Sequence, residues 1–211
     1  MTTTSQVIAP PLLALLKRRS VSPKRLGPPG LTHEQLECVM HAALRAPDHG
    51  GLVPWRVIAF GVAQRHVLAD LFVQEKSRRD PLVSDEDLGR ARAHATNAPT
   101  LLAFVVCLRT DALIPLHEQW LAAGAALGNI LNGIEVMGLG GIVLSGDRCS
   151  DRLLMQQLGV EKSEQLVGFI SAGTVVKAPP TVKLKNSLRC WTQWEGLKPQ
   201  FTPREQVFSA N

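Results

Sequence analysis

The sequence predicts an α+β fold, a mixed central sheet with helices packed around it. Three stretches carry that prediction. Residues 100–108 (TLLAFVVCL) are almost wholly apolar and rich in valine and leucine, the length and composition of a strand buried on both faces. Residues 32–55 read as a helix, then a glycine-rich loop leading into a second strand at about 56–60. A helix of more than twenty residues spans about 116–137. Helices and strands alternate, but their connections are short and uneven. No strand is followed by GxGxxG or a P-loop sequence, so the dinucleotide-binding and P-loop folds are excluded.

In chain order, residues 1–10 form a flexible N-terminus, and 11–17 (PLLALLK) start a short helix with proline in its first turn. Arg18-Arg19-Ser20 ends it, and Gly27-Pro28-Pro29-Gly30 breaks the chain. Thr32 followed by Gln35 is a capping box, and Leu36, Val39, Met40, Ala43 and Leu44 fall on one apolar stripe. Pro47 stops this helix by forcing the preceding residue out of the α region. Asp48-His49-Gly50-Gly51 then supplies polar side chains and two positions free to take positive φ. Residues 64–76 predict a helix with Val67, Leu68, Leu71 and Phe72 inward. The charged stretch 77–87 is exposed, and a short helix runs on to about 96.

The long helix carries Trp120, Leu127, Ile130, Ile134 and Met137, with Gly124, Gly128 and Gly133 on other faces. A helix apolar on several faces is either the centre of a large core or part of a homodimer interface. Gly138, Gly140 and Gly141 end it. A short strand, Ile142-Val143-Leu144, leads into Ser145-Gly146-Asp147, followed by a helix over about 151–158 and a strand over 166–172. Residues 11–176 thus make one domain. Residues 177–211, with Pro179-Pro180, Trp191 and Trp194, make a C-terminal extension.

Composition narrows the function classes. The chain has 211 residues, 45% of them hydrophobic, and a net charge of +5. Lys17, Arg18, Arg19, Lys24 and Arg25 cluster without interleaved aromatics, which disfavours single-stranded nucleic acid as a partner. Cys38, Cys107, Cys149 and Cys190 are widely spaced. They fit reduced thiols in a cytoplasmic protein, with Cys38 and Cys107 as small core residues and no zinc or other metal site. No apolar run is long enough for a membrane span.

Zinc-protease, nucleophile-elbow and kinase motifs are absent. Of six histidines, only His49 lies in a loop shaped like a site, with Asp48 beside it to orient the ring. A bound cofactor carrying the chemistry is the more economical reading. Arg18, Arg19 and Ser20 suit a phosphate through bidentate guanidinium contacts and a hydroxyl. The helix macrodipole alone also favours two arginines at a helix C-terminus, and spacing does not choose between these readings.

Four segments together resemble the nitroreductase family. They are RRS at 18–20, RAPDHGGLVPW at 45–55, GAALGNILNGIEVMGLGG at 124–141 and IVLSG at 142–146. The likeness runs from about 12 to 173 and is strongest to the compact bacterial NAD(P)H nitroreductases with an RRS…RAPDH…PW pattern. It implies two intertwined subunits, a homodimer with one FMN at each of two interface sites. Arg18, Arg19 and Ser20 would hold the phosphate and ribityl end, while Arg45 and His49 would be contributed by the partner subunit. Val143, Leu144, Ser145 and Gly146 would lie against the flavin ring. Gly133, Ile134, Glu135, Val136, Met137 and Gly138 match a segment assigned to the nicotinamide cofactor.

The implied activity is FMN-dependent oxidation of NADH or NADPH with a small-molecule acceptor of nitroaromatic or quinone type. The cycle would be ping-pong through flavin N5, with no side chain acting as acid or base. Two departures from the family pattern stand out. Ser22 occupies a place where a basic residue is common, leaving Lys183, Lys185 and Arg189 as candidates for a C-terminal basic pair. Gly-Leu-Val-Pro precedes Trp55 where a polar residue commonly precedes the proline. These departures leave an alternative, an FMN-binding sensor or carrier of the same fold without efficient turnover.

Overall fold

The computed structural model describes residues 10–181 and 190–194. Helix α1 (Pro10–Lys17) leads through a 3-10 turn to the short strand β1 (Leu26–Gly27). Helix α2 (His33–Ala43) precedes β2 (Trp55–Ala59), and α3 (Arg65–Arg79) and α4 (Asp85–Ala93) precede β3 (Thr100–Val106). The long α5 (Leu116–Val136) precedes β4 (Gly140–Leu144), and α6 (Arg152–Gln157) precedes β5 (Gln165–Val175).

The sheet runs β1-β5-β3-β2, with β4 also on β5, so β5 is its hub. Its strand pairings are antiparallel, and a parallel bridge between Ser20 and Gly141 makes it mixed. The apolar run in β3 has the expected cause. Leu101, Ala103 and Val105 face a core with Leu68, Phe72 and Leu154 of α3 and α6. Leu102, Phe104 and Val106 face a second core with Val39, Ala126 and Ile130 of α2 and α5. With both faces covered, no polar alternation survives.

The capping box of α2 forms as expected. Thr32 Oγ1 accepts from the Gln35 N–H at 3.2 Å, and Gln35 Oε1 accepts from the Thr32 N–H at 3.0 Å. The helix ends at Ala43 with Leu44 as its C-cap, before Pro47 is reached. Val39 and Ala43 are buried, but Leu44 is half exposed.

Two expectations are corrected. Val67 is half exposed, because the inward face of α3 is Arg65, Leu68, Ala69, Phe72 and Glu75. Charged residues on the buried stripe disguise its phase. Cys38 is exposed rather than a core residue, since α2 turns Val39 and not its neighbour inward. Cys107 is half-buried in a polar contact, its Sγ donating to Glu164 Oε1 at 3.0 Å.

Arg56 grips that same carboxylate with two 2.7 Å bonds, one from Nε and one from Nη2. The guanidinium holds the Glu164 carboxyl at about 2, while burial, then Glu164, pushes the Cys107 thiol up to about 12. Because the folded carboxyl titrates below its ordinary value of 4.5, its stabilisation is complete above that pH and is lost as pH falls towards 2. Glu164→Gln is therefore expected to remove about 1–2 kcal/mol at neutral pH, allowing for screening at the exposed side of Arg56, and to flatten stability between pH 5 and 2. Denaturant titrations across that range check it.

The chain divides at Pro179/Pro180 into two units. In the second, Trp191 and Trp194 are exposed, and Lys183, Lys185 and Arg189 lie outside the described residues. Among the described residues no helix is long and apolar enough to cross a membrane.

Candidate cofactor site

The basic segment after α1 is tied to the start of β4. Ser20 bridges to Gly141, and the Val21 N–H donates to the Gly141 carbonyl at 3.1 Å. This close approach requires glycine at 140, where a Cβ would lie 2.6 Å from Val175 Cγ2 and 3.0 Å from Val21 Cγ2. Arg18 and Arg19 are half-buried there. Glu135, in the last turn of α5, is near both: burial raises its pKa and the two positive charges pull it down. Arg19 Nη2 donates to the Pro179 carbonyl at 3.2 Å and Arg25 Nη1 to that of Ala178 at 2.6 Å, so the chain leaving β5 passes beside this cluster.

At the other end of β4 the ladder stops at Leu144 opposite Phe169, and Ser145 and Gly146 emerge exposed. Val143 packs towards the α2/α5 core. Two arginines of α3 pin the loop that follows: Arg79 Nη1 meets Asp147 Oδ2 and Arg78 Nη2 meets Asp151 Oδ1, each at 2.9 Å. The 143–146 strand end is thus held on a rigid support.

The 48–53 loop forms differently from the sequence reading. Asp48 does not orient the neighbouring imidazole; its Oδ2 accepts from the Val53 N–H at 2.7 Å and staples the loop. The partner of His49 is Glu118 on α5, with Nδ1 2.6 Å from Oε2. Nothing local in the sequence signals a contact across 69 positions. Gly50 and Gly51 take positive φ as anticipated, but so does Val53 at 47°, an uncommon conformation for a β-branched residue. Arg45 lies exposed just beyond α2, near where Asn129 Nδ2 of α5 donates to the Ala42 carbonyl at 3.1 Å.

Glu118 and Glu135 stand at opposite ends of α5, about 25 Å apart at the rise of a helix. Within one chain, then, His49 and the Arg18–Arg19–Ser20 segment lie near opposite ends of α5. In the 133–138 segment, Ile134 is sealed in the core and Gly133 lies against Val39, where a Cβ would come within 3.2 Å. Glu135 is half-buried and Val136 is exposed.

The sheet and its helices define an α+β fold, and comparison with known proteins specifies it. The structure superimposes on a nitroreductase-like family protein from Bacillus cereus with a TM-score of 0.75, at 20% identity, covering 93% of this chain and 100% of that one. A point variant of the FMN and NADPH-dependent nitroreductase NfnB from Sphigopyxis sp. strain HMH gives 0.67 at 17% identity, covering 89% and 100%. Residues 15–174 match the model of the nitroreductase family. The Escherichia coli K12 protein named "Putative NAD(P)H nitroreductase YdjA" is 28% identical over 174 residues, covering 82% of this chain and 90% of that protein. The chain belongs to the nitroreductase family.

Proposed function

We propose that this chain is an FMN-dependent NAD(P)H oxidoreductase that works as a homodimer, with FMN at two equivalent sites between subunits. The observation that carries the reading is the bridge between Ser20 and Gly141. It sets Arg18, Arg19 and Ser20 at the start of β4, with Leu144, Ser145 and Gly146 about 10–15 Å along at a strand's rise per residue. That span suits a phosphate, a ribityl chain and the near edge of a ring system. The donor set suits it too: two guanidinium groups and a hydroxyl for the phosphate, and backbone N–H groups beyond the ladder for the ring. The names of the E. coli and Sphigopyxis proteins, which specify NAD(P)H and FMN with NADPH, support the same reading.

On this reading Arg18, Arg19 and Ser20 bind the phosphate end. The backbone of Val143 and Leu144 would hold the ring, and the N–H groups of Ser145 and Gly146 beyond the ladder would serve as donors to it, which favours the reduced state. Bound FMN would supply the redox chemistry, carrying a hydride from NADH or NADPH to a nitroaromatic- or quinone-type acceptor that takes the nicotinamide's place. The protein contributes chiefly position. Any nicotinamide contact from 133–138 falls to members of that segment other than Ile134, with Val136 and Gly138 the exposed ones.

Arg45 and His49 complete each site from the partner subunit. Two-fold packing of α5 against its mate brings the Glu118 end of one helix beside the Glu135 end of the other. The surface supports such a pairing. Leu12, Leu15 and Leu16 of α1 are about half exposed, as is Leu44, and Leu121 and Val136 of α5 more so. A groove of about 230 Å³ on α2 is lined by Leu36, Met40 and Leu44 among others.

Steady-state rates with NADPH and a nitroaromatic varied together test the mechanism. Parallel double-reciprocal lines are expected. Intersecting lines contradict alternate occupancy of one site, and no acceptor-dependent oxidation with either nicotinamide contradicts the enzyme reading.

A further inference from the structure

On the face of the sheet away from α5 lies a cavity that shares only Leu144 and Ser145 with the proposed flavin site. It has a volume of about 50 Å³ and is lined by Phe72, His94, Ser145, Arg148 and Ser171, with Leu144 and others closing it. That is room for about three or four waters, or one small ion with a water. Arg148 lies with its guanidinium carbon 4.2 Å from the centroid of the Phe72 ring. Burial pulls the Arg148 pKa down. Among the described residues, no oxygen accepts a hydrogen bond from its guanidinium, although Arg carries five N–H donors.

Glu75 favours the charged Arg148 through space but makes no hydrogen bond to it. Glu75 is fully buried and does not line the cavity, and its Oε1 is taken by Arg79 Nε at 2.6 Å. Arg79 in turn also holds Asp147. The lining therefore combines a guanidinium with the hydroxyls of Ser145 and Ser171 and a His94 ring whose pKa burial, then Arg148, pull below its ordinary value. No carboxylate is among the lining groups. Arg148 is half-buried, and an anion at this point would give its donors the charge-assisted bonds that no protein oxygen supplies.

We propose that this cavity is a binding site for a small monovalent anion of the chloride, bromide or nitrite class, held by Arg148 with Ser171 and Ser145 as further donors. A bound anion ties the loop after β4 to β5, so occupancy is read as stability as well as density. The competing occupant is water alone, bridging Arg148 to the unpaired Oε2 of Glu75.

The test uses purified full-length protein kept in sodium gluconate, whose anion is too large to enter, and then exposed to sodium bromide at constant ionic strength. In crystals, the expected result is a bromide anomalous peak inside the cavity at hydrogen-bond distance from Arg148. In solution, Tm rises saturably with bromide. Arg148→Lys, which keeps the charge but loses the planar fork, weakens the apparent bromide affinity roughly tenfold. Ser171→Ala, a milder change should Arg148→Lys fold poorly, weakens it severalfold. Bromide confined to the surface with water alone in the cavity overturns the proposal, as does an unchanged bromide dependence in the two variants.

Discussion

Coexpressing an Arg18→Ala/Arg19→Ala chain with an Arg45→Ala/His49→Ala chain is expected to give heterodimers that hold one FMN per dimer, although neither variant holds FMN as a homodimer. The expectation follows from α5. His49 is fastened to Glu118 at one end of that helix, and Glu135 lies near Arg18 and Arg19 at the other. On the proposed arrangement, one FMN site takes its phosphate residues from one subunit and Arg45 and His49 from its mate. In the mixed dimer both defects fall in one site and leave the other whole. Each pair of substitutions removes charge-assisted contacts worth about 1.5–3 kcal/mol apiece, so the damaged site should bind FMN at least ~100-fold more weakly. Two different affinity tags isolate the heterodimer, and the flavin-to-protein ratio gives the result. A heterodimer without flavin would place both half-sites in one chain and contradict the shared arrangement.

Arg65→Met is expected to cost about 3–5 kcal/mol, the largest effect on stability from a single side chain far from the flavin site. Arg65 is buried at the start of α3, where the macrodipole gives a positive charge no advantage. It is held instead by four backbone carbonyls. Its Nε donates to Phe60 at 3.3 Å, Nη1 to Ala95 and Ala98, and Nη2 to Pro99 at 2.8 Å. Burial pulls its pKa down, but a guanidinium stays charged all the same. Three of the carbonyls it gathers, those of Ala95, Ala98 and Pro99, belong to the segment entering β3, where Thr100 Oγ1 accepts from the Leu31 N–H at 2.8 Å, and the fourth, Phe60, follows β2. Methionine fills comparable space and strands those acceptors without donors. A guanidinium chloride titration should show a lower midpoint with little change in slope, and a loss under about 1 kcal/mol contradicts this account.

What could be read from the sequence and what could not divides by the range of the interaction. The Thr32/Gln35 capping box, the buried run of β3 and the long α5 are local signals written in adjacent residues, and the structure forms all three. The RRS, RAPDH and IVLSG segments also marked where to look. Their meeting points did not show. Ser20 meets Gly141 across the whole domain, and His49 meets Glu118 rather than the adjacent Asp48, whose carboxylate is already engaged in stapling its own loop. Hydrophobic phase misled where charged residues turn inward. Arg65 and Glu75 share the buried face of α3, so the apolar pattern put Val67 inside when Ala69 is there. Arg148 carried no signal at all, because its setting is made by α3, β5 and the loop after β4 together.

The most direct test of the central claim is the visible absorbance spectrum of the purified protein, incubated with FMN and then mixed anaerobically with NADH or NADPH. The account predicts flavin bands that remain with the protein through gel filtration and bleach on adding the nicotinamide. Protein that emerges without flavin bands contradicts the assignment of Arg18, Arg19, Ser20 and the 143–146 strand end as a cofactor site. Bands that persist with both nicotinamides leave the FMN site standing and contradict the oxidoreductase cycle built on it.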